Sequence, residues 1–280
     1  MPELLASTTA ACLWLDDHSY ASQLLANNAA PVLEVADYVA FRRQAAALLA
    51  SDVVQFSLTT VCHAWLNEHP DLVATMAAKA RAVAPLRAML SDESLRAHLV
   101  ATVTALRRAF VTRPLVILLP SPRAWVGITC AQAGLEEIAV GQAEADKAAV
   151  YVAEFLRAFA ECELDGILLA EQENDQPATA DEVTWYQPVF NVASHFRWKA
   201  GLLLPGEALP IDLPDDVDFV VARSAHGVAP TCLIQPASVW TDESVVASKV
   251  GELTYAEIPH DAPPERVLAV IDNLRDGHAK

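Results

Sequence analysis

The chain has 280 residues, of which 53% are hydrophobic, and its formal net charge is −17 at pH 7. Such a negative charge argues against a protein that wraps duplex DNA or lies on a membrane surface, because both need basic patches. No apolar run reaches the roughly 20 residues of a membrane-spanning helix, and the first residues lack the basic segment of a signal peptide. We therefore expect a cytoplasmic protein with a small-molecule substrate and no nucleic-acid or membrane partner.

The five cysteines lie far apart and form no Cys-x-x-Cys motif. Reduced, mostly buried thiols are expected, since a disulfide framework or a zinc site needs regular spacing. Cys62-His63 is the one adjacent pair of metal-binding residue types, and without a second spaced pair it predicts no metal site. The sequence predicts no metal ion and no other cofactor.

Short apolar stretches alternate with helical patterns along the chain. Eight stretches predict strands: 11–15, 51–57, 114–119, 166–170, 201–204, 218–222, 231–234 and 253–258. Helical patterns are predicted at 39–49, 70–110, 143–160, 181–197, 243–250 and 264–274. The second of these patterns should break near Pro85 and Ser91, with Ser91 as the cap of the helix that follows.

Strand-then-helix repetition over this length predicts an α/β protein, a single (β/α)8 TIM barrel that spans residues 1–280. The continuously apolar run at 114–119 favours this fold, because strands of a parallel sheet are buried on both faces. A doubly wound open sheet is the alternative. It usually carries a Gly-rich phosphate loop after the first strand, where this chain has Asp16-Asp17-His18.

In such a barrel, the residues just after each strand face the mouth where active sites lie. Polar residues hold many of these positions: Asp16, Asp17, His18, Ser57, Thr59, Ser121, Arg123, Glu171, Glu173, Glu207, Arg223, His226, Gln235, Glu257 and His260. The acidic group after the fourth strand is either part of a pocket or a solvated acidic rim.

Four segments, in order, resemble the uroporphyrinogen decarboxylase superfamily. They are RPLVILLPSPRAWVG (113–127), YVAEFLRAFAECELDGILLAE (151–171), DFVVARSAHGVAPTCLIQPASVWTDESV (218–245) and ELTYAEIPHDAPPERVLAVIDNLR (252–275). The resemblance implies a barrel of that superfamily with its pocket at the carboxyl ends of the strands. It is also compatible with a homodimer.

The functional motifs of the superfamily are replaced in this chain. Asp16-Asp17-His18 stands where the decarboxylase has an Arg-rich segment, and Ser57 stands where its catalytic Asp is expected. The stretch 203–207, Leu-Leu-Pro-Gly-Glu, replaces the zinc-binding His-x-Cys of the methyltransferases. The resemblance therefore implies the fold and the pocket, and not the two best-known reactions.

The candidate catalytic residues are Glu171, Glu207, His18 and Asp17. Carboxylates close together push their pKa values apart, which can produce a general acid beside a general base. The alternatives are that the glutamates are solvated, that Asp17 caps a helix, or that His18, Glu171 and Glu207 hold a divalent metal.

The candidate substrate-binding residues are Arg123, Arg223, Trp125, Gln235 and His260. Arginine presents a bidentate fork to a carboxylate, although either arginine could instead neutralise neighbouring acids. Trp125 could form a pocket wall or belong to the core.

The leading hypothesis is a metal-free lyase or decarboxylase that acts on a small organic acid. A methyltransferase with a corrinoid or folate partner is the first alternative. A non-catalytic barrel that binds a ligand or a partner protein is the second.

Overall fold

The fold is built from parallel β-strands that alternate with helices. The computed structural model describes residues 12–79, 81–136, 139–172, 179–206, 213–225, 229–241 and 253–277. Within these ranges the strands are β1 (Cys12–Asp16), β2 (Val54–Ser57), β3 (Leu115–Pro120), β4 (Gly166–Ala170), β5 (Lys199–Leu204), β6 (Phe219–Ala222), β7 (Thr231–Ile234) and β8 (Leu253–Glu257). All eight stretches predicted from the sequence contain a strand.

The strands form one parallel eight-stranded sheet in the order β1-β8-β7-β6-β5-β4-β3-β2. The two end strands come together through the residues that precede β2. The amide of Asp52 donates to the carbonyl of Leu13 at 2.9 Å, and the Asp52 side chain accepts from the amide of Leu13 at 2.8 Å. The hydroxyl of Ser51 accepts from the amide of Leu15 at 3.1 Å. The sheet is thus a nearly closed barrel, and the predicted α/β (β/α)8 TIM-barrel fold is confirmed.

The helices surround this sheet. In the described residues they are α1 (His18–Ala26), α2 (Val35–Leu49), α3 (Leu58–Glu68), α4 (Pro70–Ala77), α5 (Ala84–Leu90), α6 (Glu93–Ala109), α7 (Pro122–Gln132), α8 (Gln142–Leu156), α9 (Ala180–Thr184), α10 (Gln187–Phe196) and α11 (Pro264–Gly277). Four of them, α3 to α6, lie between β2 and β3, so this connection is longer than a single helix.

Two predicted details of the helices are wrong. The cap before α6 is Asp92, whose carboxylate accepts from the amide of Leu95 at 2.7 Å, and not Ser91. The helix expected at 181–197 is divided into α9 and α10, with Pro188 in the first turn of α10. Proline is tolerated there because the first turn has no intrahelical partner for its missing N–H. The helix predicted at 243–250 lies outside the described residues.

The alternation of side chains along each strand separates an outer core from the barrel interior. Leu13 and Leu15 of β1 face outward and pack against α11 residues such as Val267. The interior is filled by apolar side chains from seven strands and from Val53, which precedes β2: Trp14, Val53, Val116, Leu168, Phe219, Val221, Cys232, Leu253 and Tyr255, with Leu118, Leu203 and Ile234 partly exposed. Polar groups at the ends of the strands therefore stand above an apolar floor.

No helix among the described residues is both long enough and apolar enough to cross a membrane.

Candidate functional site

A carboxylate stands at the carboxyl end of β1, on the interior side of the barrel. Asp16 is the last residue of β1 and lies two positions after Trp14, so both side chains point inward. The Trp14 ring contacts Tyr255 and Phe219, with ring centroids 5.8 Å and 6.3 Å away. These three aromatic rings form the floor on which Asp16 stands.

Two neighbouring side chains hold the Asp16 carboxylate in place. The hydroxyl of Tyr255, on the adjacent strand β8, donates to Oδ2 of Asp16 at 2.9 Å. The Gln55 side chain, from β2, also hydrogen-bonds Asp16. Because Oε1 of Gln55 accepts from the indole N–H of Trp14 at 2.9 Å, its amide group is left to donate to Asp16. The orientation of the carboxylate is therefore fixed by side chains from two other strands, β8 and β2.

The surroundings favour the protonated form of Asp16. Burial raises the pKa of Asp16 above its usual value, and the negative charge of Asp17 acts in the same direction. Hydrogen bonds from Tyr255 and Gln55 and the charge of Arg42 oppose this rise, since they favour the carboxylate. Burial also raises the pKa of Tyr255 well above its usual value, so its hydroxyl keeps the proton that it donates.

The residues after Asp16 form a buried ion pair. Oδ1 of Asp17 accepts from Nη1 of Arg42, on α2, at 2.7 Å, and both side chains are buried. His18 is the first residue of α1 and lies about 6 Å from the rings of Tyr38 and Phe41. Burial and the charge of Arg42 lower the pKa of His18 to about 4. His18 is therefore neutral near pH 7. The carboxylate of Asp17 holds the guanidinium of Arg42 beside Asp16.

Glu171, the leading sequence candidate, belongs to a different cluster. It follows β4 by one residue and lies on the side of Ile167 and Leu169, which face the outer core. Its carboxylate accepts from the hydroxyl of Tyr186 at 2.7 Å and from Nη2 of Arg123 at 3.1 Å. Glu171 is only 7% exposed. This arrangement ties the end of β4 to the surrounding helices.

Arg123 is also occupied by protein carboxylates. In addition to Glu171, its Nη1 lies 3.4 Å from Oε1 of Glu182, at the start of α9. The structure thus brings two predicted site residues, Arg123 and Glu171, together as an ion pair. Their predicted roles in binding and catalysis stay predictions.

The other predicted residues lie in different surroundings. Arg223 follows β6, is exposed, and donates from Nε to the carbonyl of Pro205 at 2.7 Å. Trp125 is buried in the outer core, 6.1 Å from Phe155. Gln235 is buried, and its backbone N–H donates to the backbone carbonyl of Tyr255 at 2.8 Å.

His260 is exposed, and its Nδ1 lies 3.8 Å from the carboxylate of Asp261. Glu207, together with Glu173, Asp175 and His226, lies outside the described residues.

The cluster around the Asp16 carboxylate contains three residues that are not among the catalytic and substrate-binding candidates chosen from the sequence: Asp16, Gln55 and Tyr255. The signal for Asp16 was present, because it is the only polar residue in the alternating inward series of β1. Gln55 shares β2 with the polar residue Ser57, and Tyr255 shares β8 with Thr254 and Glu257, so neither stands out by polarity alone. Their contact with Asp16 depends on the closure of the barrel, which brings together residues 39 and 239 positions apart in the sequence, and composition does not reveal it.

In the part of the chain that the structure describes, no group of three or more His, Cys, Asp or Glu side chains is arranged to hold a metal ion.

No family model matches the sequence, and no curated protein matches it. The crystal structure of dihydrodipicolinate synthase from Bacillus clausii is similar, with a TM-score of 0.34 and 7% sequence identity over 84% of this chain and 78% of that chain. The assignment of a barrel fold is based on the sheet topology of this chain. Membership of the uroporphyrinogen decarboxylase superfamily stays a prediction from the sequence.

Proposed function

We propose that this barrel is a lyase that acts on a small organic acid, with Asp16 as the group that transfers the proton. The observation that carries the proposal is the Asp16 carboxyl group at the carboxyl end of β1, above the aromatic floor and 2.9 Å from the hydroxyl of Tyr255, where burial raises its pKa. Active sites of TIM barrels lie at this end of the strands. A general acid is most effective when its pKa is near the working pH, and burial is the usual means of raising a carboxyl pKa.

The protonated form of Asp16, which burial favours, suits the second half of a decarboxylation. Loss of CO2 leaves an electron pair on carbon, and that carbon must then take up a proton. Asp16 can deliver this proton, while the Tyr255 and Gln55 hydrogen bonds stabilise the carboxylate that remains. The same carboxylate can remove a proton beside a carbonyl group, which is the first step of other lyase reactions.

The position of the site favours a small substrate. Trp14, Phe219 and Tyr255 fill the interior below Asp16, so the substrate has room only above this floor. Arg223, which follows β6, is the candidate for binding the carboxylate of the substrate. Its Nε donates to the carbonyl of Pro205, which holds the side chain at the rim, and a guanidinium group binds a carboxylate with a fork of donors. Glu257 is the strand partner of Asp16 and is exposed at the same rim.

The proposal includes kinship with the uroporphyrinogen decarboxylase superfamily, as a divergent member. The order of four sequence segments and the eight-stranded barrel support it. The chain has no Arg-rich segment after β1, which favours a substrate with fewer carboxylates than a tetrapyrrole.

The test is a screen of small mono- and dicarboxylic acids by proton NMR, with the purified wild-type protein and with Asp16→Asn. We expect the wild type to convert one class of acid and Asp16→Asn to lose at least about a hundredfold in turnover, as general acid–base catalysis contributes that much. Asp272→Asn, the same change at an exposed position of α11, is the matched control. Full turnover by Asp16→Asn would overturn the role of Asp16. Binding of an acid without conversion would favour the ligand-binding barrel instead.

A further inference from the structure

A groove on the helical layer, outside the barrel, collects basic side chains. It has a volume of about 770 Å³ and is lined by residues of α4, α5, α8 and the segment between α4 and α5. Its apolar part consists of small side chains such as Ala82, Val83 and Ala88. This volume falls within the range of small-molecule sites, roughly 300–1,000 Å³. The groove is separate from Asp16, which lies inside the barrel.

Four cations line the groove in a chain that carries only 19 Lys and Arg against 36 Asp and Glu. They are Lys79, Arg81, Arg87 and Lys147, and all four are exposed. Within the described ranges, none of these four forms an ion pair. By contrast, Arg42, Arg107 and Arg123 are each paired with a carboxylate. These four cations are therefore not paired with a carboxylate of the described residues.

The only acidic residue that lines the groove in the described structure is already engaged elsewhere. Oε2 of Glu144 accepts from the backbone N–H of Gly141 at 3.3 Å, which caps the start of α8. Arg87 lies over the ring of Tyr151, with Cζ 5.5 Å from the ring centroid. This cation–π contact holds the guanidinium in the groove without using its N–H donors on a carboxylate.

We propose that this groove binds a small soluble polyanion, an organic phosphate or pyrophosphate. Lysine and arginine side chains are the usual protein partners of phosphate groups. A cluster of cations without ion pairs in the described residues can attract such an anion against the net charge, because a local field decides binding at short range. The concave shape and limited volume favour a small molecule over a nucleic acid, which the charge of −17 repels.

The test uses inorganic pyrophosphate as the probe, titrated into the full-length protein by isothermal calorimetry at low and moderate salt. We expect saturable binding at one site per chain. The double variant Lys79→Gln/Lys147→Gln should bind about tenfold more weakly or not at all. Arg43→Gln, which removes an exposed charge from α2, is the control and should bind as the wild type does.

Thermal unfolding of each variant shows whether the fold is retained. If the double variant unfolds, Arg87→Gln provides the same comparison. The absence of pyrophosphate binding to the wild type would overturn the proposal. So would equal weakening by Arg43→Gln, which would mean that binding follows net charge alone. Tighter binding of an acidic peptide than of pyrophosphate would equally overturn it, because the ligand would then be a protein.

Discussion

The hydroxyl of Tyr255 donates a hydrogen bond of 2.9 Å to the carboxylate of Asp16. The two residues are 239 positions apart in the sequence, on the last and the first strand of the barrel, and the bond spans the β8–β1 pairing. It favours the charged form of a carboxyl group whose burial favours the neutral form. Burial therefore raises the pKa of Asp16, and the hydrogen bond from Tyr255 lowers it.

The first prediction concerns Tyr255→Phe. Removal of the hydroxyl takes away a donor to the carboxylate, so the pKa of Asp16 should rise further. Carboxyl carbon NMR of the protein labelled at aspartate measures this titration directly. Tyr20→Phe, which removes a hydroxyl from a side chain packed on the outer side of β1, should leave the titration unchanged. A pKa of Asp16 that stays constant in Tyr255→Phe would contradict the prediction.

The second prediction concerns the pH dependence of stability. Since the pKa of Asp16 is higher in the folded protein than its usual 3.8, the folded state binds more protons between these two values. The contribution of Asp16 to the free energy of unfolding is full below pH 3.8 and decreases as pH rises through the folded pKa. Asp16→Asn should remove this decrease, so its stability relative to the wild type should improve as pH rises from 3.8 through the folded-state pKa of Asp16.

Urea unfolding at several pH values measures this difference. Asp272→Asn, at an exposed position of α11, is the control and should follow the wild type. A constant difference between Asp16→Asn and the wild type across this range would show that Asp16 titrates alike in the folded and unfolded chains.

The third prediction concerns Gly201, where β5 passes Phe219 of β6. A Cβ at Gly201 would lie 2.3 Å from Cζ of Phe219, inside the barrel. Gly201→Ala should therefore cost about 1–3 kcal/mol, as overpacking of a core does. Gly127→Ala, in α7, has no atom within 4 Å of the added Cβ and should be neutral or stabilise by about 0.5–1 kcal/mol. Phe219→Leu should relieve the cost of Gly201→Ala in the double variant.

Much of the fold follows from the sequence, because a strand of a parallel barrel is apolar along its whole length. The stretch Leu115–Pro120 is buried at five of its six positions, and this uninterrupted pattern identified the strand without an alignment. The observed bounds of the helices differ from the predicted bounds where the local sequence signals for a helix end are weak. The division between α9 and α10 depends on Pro188, and the start of α6 on Asp92 rather than Ser91.

The direction in which the side chains of the site residues point is harder to predict, because the strands are apolar along their whole length. When both faces of a strand are buried, the sequence does not show which residues face the interior. Glu171 therefore looked equivalent to a mouth residue, although its side chain lies on the outer side with Arg123 and Tyr186. The inward direction of Asp16 becomes evident once Trp14, two positions earlier, is placed in the interior, and its bond to Tyr255 agrees with this direction.

The fourth prediction separates the two possible roles of Glu171. Glu171→Gln removes the charge opposite Arg123 in a buried pair, and we expect a loss of about 1–3 kcal/mol in the free energy of unfolding. The matched control is Glu154→Gln, in an exposed pair with Arg157, which should cost at most about 0.5 kcal/mol. Loss of turnover at unchanged stability would instead support the catalytic role that the sequence suggested.

The fifth prediction concerns acid sensitivity through His18. Its pKa is lowered to about 4 by burial and by the charge of Arg42, from a usual value of 6.5. The unfolded chain therefore binds a proton that the folded chain does not, and the free energy of unfolding decreases as pH falls from 6.5 towards 4. This shift corresponds to a loss on the order of 3 kcal/mol at most. It opposes the effect of Asp16, whose contribution grows as pH falls.

His18→Gln should abolish this loss while it keeps a polar side chain at the start of α1. Unfolding in urea at pH 7, 6, 5 and 4 gives the comparison, and the exposed His260→Gln is its control. At pH 7 the two variants should differ little in their pH slope. At pH 4, His18→Gln should be more stable relative to the wild type than it is at pH 7, and equal slopes for the two variants would show that His18 takes up its proton as readily in the folded chain as in the unfolded one.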